Sequence, residues 1–319
     1  GAPTKTPSSA RRLWYWRWID FAHTRKPSPM SLPEPLIHPT AVVPAGTTGD
    51  GVRLGAQSCV MPGAVLTEAC IIGEQVFVGA GACVGKGASV LARACIGAGA
   101  LVGDGASVRE AAVLAPGVRV GAHARIEPGA VVTRDVPPNA VVQGHPAVIV
   151  GYVDAPEFTA TAAALGSAGT VTSRVKGVRL HEMREIQDMR GFLCAAELGR
   201  ELPFAPRRCF FVYSVPNAQV RGEHAHLRCE QFLIAVHGSL RVMADDGYQR
   251  QDFRLDRPNL GLHLPAMTWG VQYGYSEDAV LMVLASDPYD PDDYIRDHAD
   301  FIARVKQGKV ASADEEPAP

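Results

Sequence analysis

From Leu54 to Val132 an aliphatic side chain recurs every six residues without a break: Leu54, Val60, Leu66, Ile72, Val78, Val84, Val90, Ile96, Val102, Val108, Leu114, Val120, Ile126 and Val132. Four positions after each of them but the last stands a small or β-branched residue: Ser58, Ala64, Cys70, Val76, Ala82, Ala88, Ala94, Ala100, Ala106, Ala112, Val118, Ala124 and Ala130. A helix returns a side chain to one face every 3.6 residues and a strand every second residue, so neither gives a period of six. The period fits a coil of three short flat strands, each pointing one aliphatic inward to stack on its equivalent in the next coil. Glycine follows many of these aliphatics, as at Gly73, Gly79, Gly85, Gly97, Gly103 and Gly121, which suits tight corners where a side chain would clash.

This repeat resembles the left-handed parallel β-helix of hexapeptide-repeat acyltransferases, over roughly residues 37–152. The closing segment VVTRDVPPNAVVQGHPAVIVG (131–151) is similar to the end of sugar-nucleotide acetyltransferases of that class, with His145 where their pattern has Asn. The resemblance implies a homotrimer, or a multiple of three, that holds acetyl-CoA between neighbouring coils near this end. Arg134, Gly144 and His145 are then the candidate residues for the co-substrate. N-acetylation needs an amine made neutral, and His123, alone among the histidines in lying inside the hexads, is the candidate base. The long acceptor-site loop of those sugar N-acetyltransferases has no counterpart, because FVGAGACVGKGASVLARACIGAGALVG (77–103) runs on unbroken. A trimerisation scaffold that has lost acetyl transfer is therefore the competing expectation.

The whole chain, 319 residues with 47% hydrophobic and 20% charged content, is globular in composition and long enough for two domains. Lys and Arg number 31 against 33 Asp and Glu, so no global basic field argues for nucleic acid or an anionic membrane. No apolar run reaches the roughly 18 residues of a membrane span. The seven cysteines form no C-x-x-C pair and read as reduced packing residues of a cytoplasmic protein. The basic, aromatic opening RRLWYWRWIDFAHTRKP reads as a leader. The expected division is a disordered leader at 1–34, the β-helix at 35–152, an Ala/Thr/Gly/Ser-rich linker at 153–173, a second domain at 174–308 and a disordered tail at 309–319.

The second domain carries short strand-like runs separated by turns, which predict an antiparallel double-sheet barrel. Apolar spacing from Asp292 to Val305 predicts a closing helix. On a strand, His224 and His226 share one face, and with Glu230 they match the first half of a metal-binding cupin motif. The second half is absent: in PAMTWG, Met267 stands at the glycine position and Gly270 at the histidine position. Three ligands still suffice for a metal, so that reading stays open beside proton transfer.

The combination LPFAPRRCFFVYSVP, VRGEHAH, AVHGSLRV and WGVQYGYSEDAVLMVLASDPYDPDDYIRD resembles the WxcM-like cupin family of dTDP-sugar 3,4-ketoisomerases, across 175–305. Some members are fused to a hexapeptide N-acetyltransferase in the same order. The resemblance implies an all-β chain, β-helix followed by cupin jelly roll with a C-terminal helix. It implies metal-free movement of a carbonyl from C4 to C3 of dTDP-4-keto-6-deoxyglucose, with acetyl-CoA as co-substrate of the β-helix. By the same resemblance His226 is the main acid/base, His224 its partner and Tyr213 a hydrogen-bond donor to the enolate. Arg208 and Arg221 are candidates for the diphosphate, for which guanidinium forks are suited. Gln231 is a sugar contact or a barrel-lining residue, and Trp269 a nucleotide-stacking or core residue. His237 reads as a turn residue and His263 as pocket-lining. Leu227 stands where relatives carry lysine.

Overall fold

The structure is a computed structural model that describes residues 36–159, 169–196 and 202–313. The expected leader, residues 160–168 of the expected linker and 314–319 of the expected tail lie outside the described residues.

The hexad builds a parallel β-solenoid. Arg53 lies beside Ile71 and Ile71 beside Ser89, so one coil takes 18 residues and contributes one two-residue strand to each of three sheets. In each strand the hexad aliphatic is buried and its predecessor faces out, as in Val65–Leu66 and Phe77–Val78. Leu66, Val78, Val84, Val90 and Ile96 are fully buried, and so are the small residues Ala82, Ala88 and Ala100 between them. The corner glycines are required by the approach of the next coil: a Cβ on Gly79 would lie 2.5 Å from the backbone N of Ala98. Two residues further on, the turns need left-handed backbone, which Gly81 adopts freely at φ +68°. Strand Ala140–Gly144 extends the first sheet in parallel and then turns back antiparallel into Ala147–Tyr152, which ends the solenoid.

Beyond it lie two facing sheets of a cupin double-stranded β-helix. One has the strand order Thr170–Thr172, Arg179–Glu182, Leu260–Leu264, Gln231–His237, Val280–Ala285, Arg208–Tyr213. The other runs Arg250–Leu255, Leu240–Asp245, Trp269–Tyr273, Arg221–His226, Tyr294–Ile295. Leu233, Leu262, Leu281 and Val283 of the first sheet pack on Leu240, Val242, Phe253 and Leu255 of the second.

Two sequence expectations shift. The closing helix is His298–Ala313, and the stretch before it forms a 3-10 turn, Pro291–Asp293, and the edge strand Tyr294–Ile295. Tyr294 and Ile295 thus point to opposite faces of a sheet, where a helix would have set them side by side on one. Thr170–Thr172, expected in the linker, pairs with Arg179–Glu182.

The solenoid and the cupin share one core. Val136, Val142 and Tyr152 belong to the same buried cluster as Met243, Trp269, Val271, Tyr273, Ile295 and Phe301. Tyr152 and Tyr273 meet edge to face at 5.4 Å. The connector continues this contact, because Phe158 stacks on Phe253 at 5.2 Å and its N–H donates to the Asp252 carbonyl at 2.7 Å. Among the described residues, no helix is long and apolar enough to cross a membrane.

Candidate active site

His226 ends the strand Arg221–His226 and is 6% exposed, so every polar atom of its ring needs a partner inside the protein. Nδ1 finds the Asp293 carboxylate at 2.9 Å. The same carboxylate accepts the backbone N–H groups of Arg228 at 2.8 Å and Cys229 at 3.2 Å, which fix its position. An Nδ1–H tied to a carboxylate leaves the lone pair on Nε2, so Nε2 is the basic atom. The Gln231 amide N–H donates to it at 3.1 Å. Burial pushes the imidazole below its usual value, against the opposing pull of Asp293. Neutral at working pH and oriented by a carboxylate, His226 is built as a proton acceptor.

His224 lies beside it, ring centroids 5.0 Å apart. Its Nδ1–H donates to the Gly222 carbonyl at 2.8 Å, and burial lowers its pKa to about 4. Strict alternation would send Arg221 to the opposite face from His224. A β-bulge at Glu223 re-phases the strand: Arg221 pairs with Gln272 and His224 with Gly270, so both point to the same face. The bulge needs positive φ at Gly222 (+82°) and Glu223 (+52°). A Cβ on Gly222 would also sit 2.5 Å from the Gly270 carbonyl.

Arg208 enters from the other sheet, at the level of Gln231 through their shared neighbour Ala285. Its guanidinium lies over the Phe210 and Tyr289 rings at 5.1 and 5.6 Å, and its buried Nε has no hydrogen-bond partner among the described residues. Two residues not singled out from the sequence complete the group. Tyr294 pairs across the strands with His226, and its ring centroid is 4.4 Å from that of His226 and 4.9 Å from that of His224. The Arg296 guanidinium lies over the Tyr294 ring, 4.3 Å from its centroid. Together with Asp293, these residues sit in DPDDYIRD, where four acids and two strand-like residues offer no spacing rule that singles any of them out.

Two expected members lie elsewhere. Tyr213 is 66% exposed and occupies the opposite face of its strand from Arg208, Phe210 and Val212, so within this chain it does not reach His226. Trp269 is a core residue, 6% exposed, edge-on to His298 at 5.0 Å and tilted against Phe301 at 5.7 Å. Glu230, the third member of the metal-cupin half-motif, pairs with His263 at 2.6 Å on the outer face of the larger sheet. His263 therefore does not line the histidine pair's pocket, and His237, expected in a turn, is the exposed last residue of the strand Gln231–His237, paired with Asp278 at 3.1 Å.

His226, Cys229 and Asp293 bring potential ligand atoms within 4.8 Å of one another, close enough for a metal. In this structure the carboxylate is engaged by three N–H donors and the Cys229 thiol faces the Glu230 carbonyl at 3.5 Å, an arrangement that suits a proton relay better than a ligand set.

In the solenoid, His123 is an exposed corner residue at φ +57° whose ring rests on Gly105 of the preceding coil. Gly144 (φ +102°) and His145 occupy the exposed hairpin tip before Pro146. Arg134 lines a cleft of about 400 Å³ with Arg119, Pro137, Ile149, Val220 and Glu223, where the last coil meets the cupin. Among the described residues no hydrogen bond, ion pair or ring contact joins His123, Arg134 and His145.

Residues 176–306 match the family described as "FdtA: WxcM-like, C-terminal". Over 129 residues the chain is 41% identical to a TDP-4-oxo-6-deoxy-alpha-D-glucose-3,4-oxoisomerase of Aneurinibacillus thermoaerophilus, an alignment spanning 40% of this chain and 93% of that protein. Among solved structures, a 3,4-ketoisomerase from Helicobacter canadensis aligns at 35% identity with a TM-score of 0.40, over 41% of this chain and 98% of that one. A sugar 3,4-ketoisomerase from Thermoanaerobacterium thermosaccharolyticum in complex with TDP aligns at 30% identity with a TM-score of 0.41, over 41% of this chain and 96% of that one.

Proposed function

Because the chain belongs, through its cupin half, to the WxcM-like family, we propose that it converts dTDP-4-keto-6-deoxyglucose to the 3-keto isomer. The observation that carries this reading is the His226–Asp293 pair, a buried neutral imidazole with its basic Nε2 presented beside Arg208 and Gln231. Nε2 removes the C3 proton, and the carbonyl already at C4 takes up the electrons as an enediolate. Reprotonation at C4 and passage of the O3 proton to O4 complete the isomer. Arg208 and, through the bulge, Arg221 hold the diphosphate. His226→Asn keeps the ring's volume in part and loses the base. NMR of chelator-treated protein with the 4-keto sugar nucleotide in deuterated water should show C3 exchange and isomerisation in the wild type and neither in this variant. Exchange unchanged in His226→Asn removes His226 from the reaction. Activity lost on chelation and restored by one metal gives the three-ligand site back its claim.

We also propose acetyl transfer by the solenoid, from acetyl-CoA to the dTDP-3-amino-3,6-dideoxyhexose that follows amination of the 3-keto product. The cleft with Arg119 and Arg134 supports this, since guanidinium groups that form no ion pair among the described residues suit the phosphates of coenzyme A, although Asp135 and Glu223 also line it. A cytoplasmic homotrimer, with exposed faces at Val65, Ile71 and Phe77 buried between copies, is part of the same proposal. Thiol release from acetyl-CoA with the two C4 epimers of the amino sugar is the test. No turnover with either epimer, in protein that isomerises, leaves the solenoid as a scaffold.

A further inference from the structure

Isomerisation needs a proton at C4 as well as one taken from C3, and neither imidazole of the resting pair has a free N–H to supply it. His224 is neutral, its one N–H is spent on the Gly222 carbonyl, and what it presents is a lone pair. It accepts protons and has none to give. Among the described residues, one hydroxyl-bearing ring, that of Tyr294, stands in ring contact with both imidazoles. Tyr294 faces the same side as His226 through direct cross-strand pairing, while its neighbour Ile295 is buried on the opposite face. Its ring centroid lies 4.4 Å from His226 and 4.9 Å from His224. The Arg296 guanidinium lies 4.3 Å from the Tyr294 ring centroid and, among the described residues, has no carboxylate partner.

Resting on the ketoisomerase reading, we propose that Tyr294 is the acid that delivers the C4 proton, with the Arg296 cation stabilising the phenolate it leaves. The protons balance. His226 Nε2 takes the C3 proton and becomes imidazolium while the C3–H pair forms the enediolate double bond. The Tyr294 O–H bond breaks as a new C–H bond forms at C4, the O3 proton passes to O4, and C3 becomes the ketone. Imidazolium and phenolate, on rings in contact, then exchange one proton, and both residues return to their starting state. The two-group arrangement also separates the two proton transfers, so C3 exchange and product formation become independent measurements.

Tyr294→Phe retains the ring that packs on both histidines and removes only the hydroxyl. With dTDP-4-keto-6-deoxyglucose in deuterated water, it should keep C3 exchange near the wild-type rate. Formation of the 3-keto product, trapped by an aminotransferase, should fall about a hundredfold or more. Arg296→Gln should show the same split more weakly, with product formation down about tenfold and exchange retained. Equal losses of exchange and product in Tyr294→Phe would mean that the ring merely holds the histidines, and retention of both would mean that another group is the acid. Either result overturns the proposal. Failure of the ketoisomerase reading is seen separately, as wild-type protein that does neither, and the role of Tyr294 falls with it.

Discussion

At the residue scale the site depends on one carboxylate that no motif announced. Asp293 is 67 positions from His226 and stands among four acids in DPDDYIRD, so only the folded chain shows which of them receives the imidazole N–H. His224 and His226 were legible as an H-x-H pair on one face of a strand, whereas Arg208 and Gln231 were reached only through the family resemblance. Asp293→Asn should test the pairing. An amide at this position presents an oxygen or an N–H to Nδ1 and no longer enforces the tautomer, so exchange at C3 should fall about a hundredfold or more. Asp293 also raises the His226 pKa against burial, so its loss lowers that pKa further. A base works when unprotonated, and the wild-type rate should decline only below the usual imidazole range. In the variant the acid limb of the rate profile should move to still lower pH while the plateau drops. An acid limb that stays in place would show that Asp293 does not act on His226.

At the element scale, periodicity is the rule that both succeeded and failed. It succeeded through the solenoid, where fourteen hexad positions from Leu54 to Val132 all fall inward because a period of six has one way to stack. It failed at two strand ends. The Glu223 bulge, which brings Arg221 round to the His224 face, has no signature beyond one glycine, and the edge strand at Tyr294 was hidden in spacing that also suits a helix. Gly222→Ala probes the bulge directly, since the new methyl meets the Gly270 carbonyl at 2.5 Å and favours the wrong φ. Relief by flattening the bulge would turn Arg221 away from His224. The expected result is a melting temperature lowered in keeping with about 1–3 kcal/mol of strain, and a raised KM for the sugar nucleotide. Unchanged melting and unchanged KM together would show that the bulge is not needed where it stands.

At the scale of the whole molecule the two halves differ in what they need from each other. Each solenoid coil buries its aliphatics against the coils before and after it, so residues 36–152 hold most of their own stability in near-neighbour contacts. The cupin is less independent, because the outer face of its smaller sheet is apolar. Met243, Trp269, Val271 and Tyr273 are each at most 6% exposed and share a cluster with Val136, Val142 and Tyr152 of the solenoid. Large side chains returned to water cost on the order of 1.5–3 kcal/mol each, and two or three of them amount to much of the 5–15 kcal/mol that holds a typical domain folded. Residues 153–313 expressed alone keep the Phe158–Phe253 stack but lose Tyr152 from the Tyr273 ring. That fragment should therefore aggregate or melt well below the intact chain, whereas 36–152 alone should stay soluble and melt cooperatively. Substituting the exposed face offers a second reading: Tyr273→Thr together with Val271→Thr should recover solubility of the fragment at some cost to its stability. A fragment 153–313 that matches the intact chain in melting temperature and isomerase rate would show instead that the shared core is an incidental contact, and that the solenoid's place in this chain is owed to its own chemistry alone.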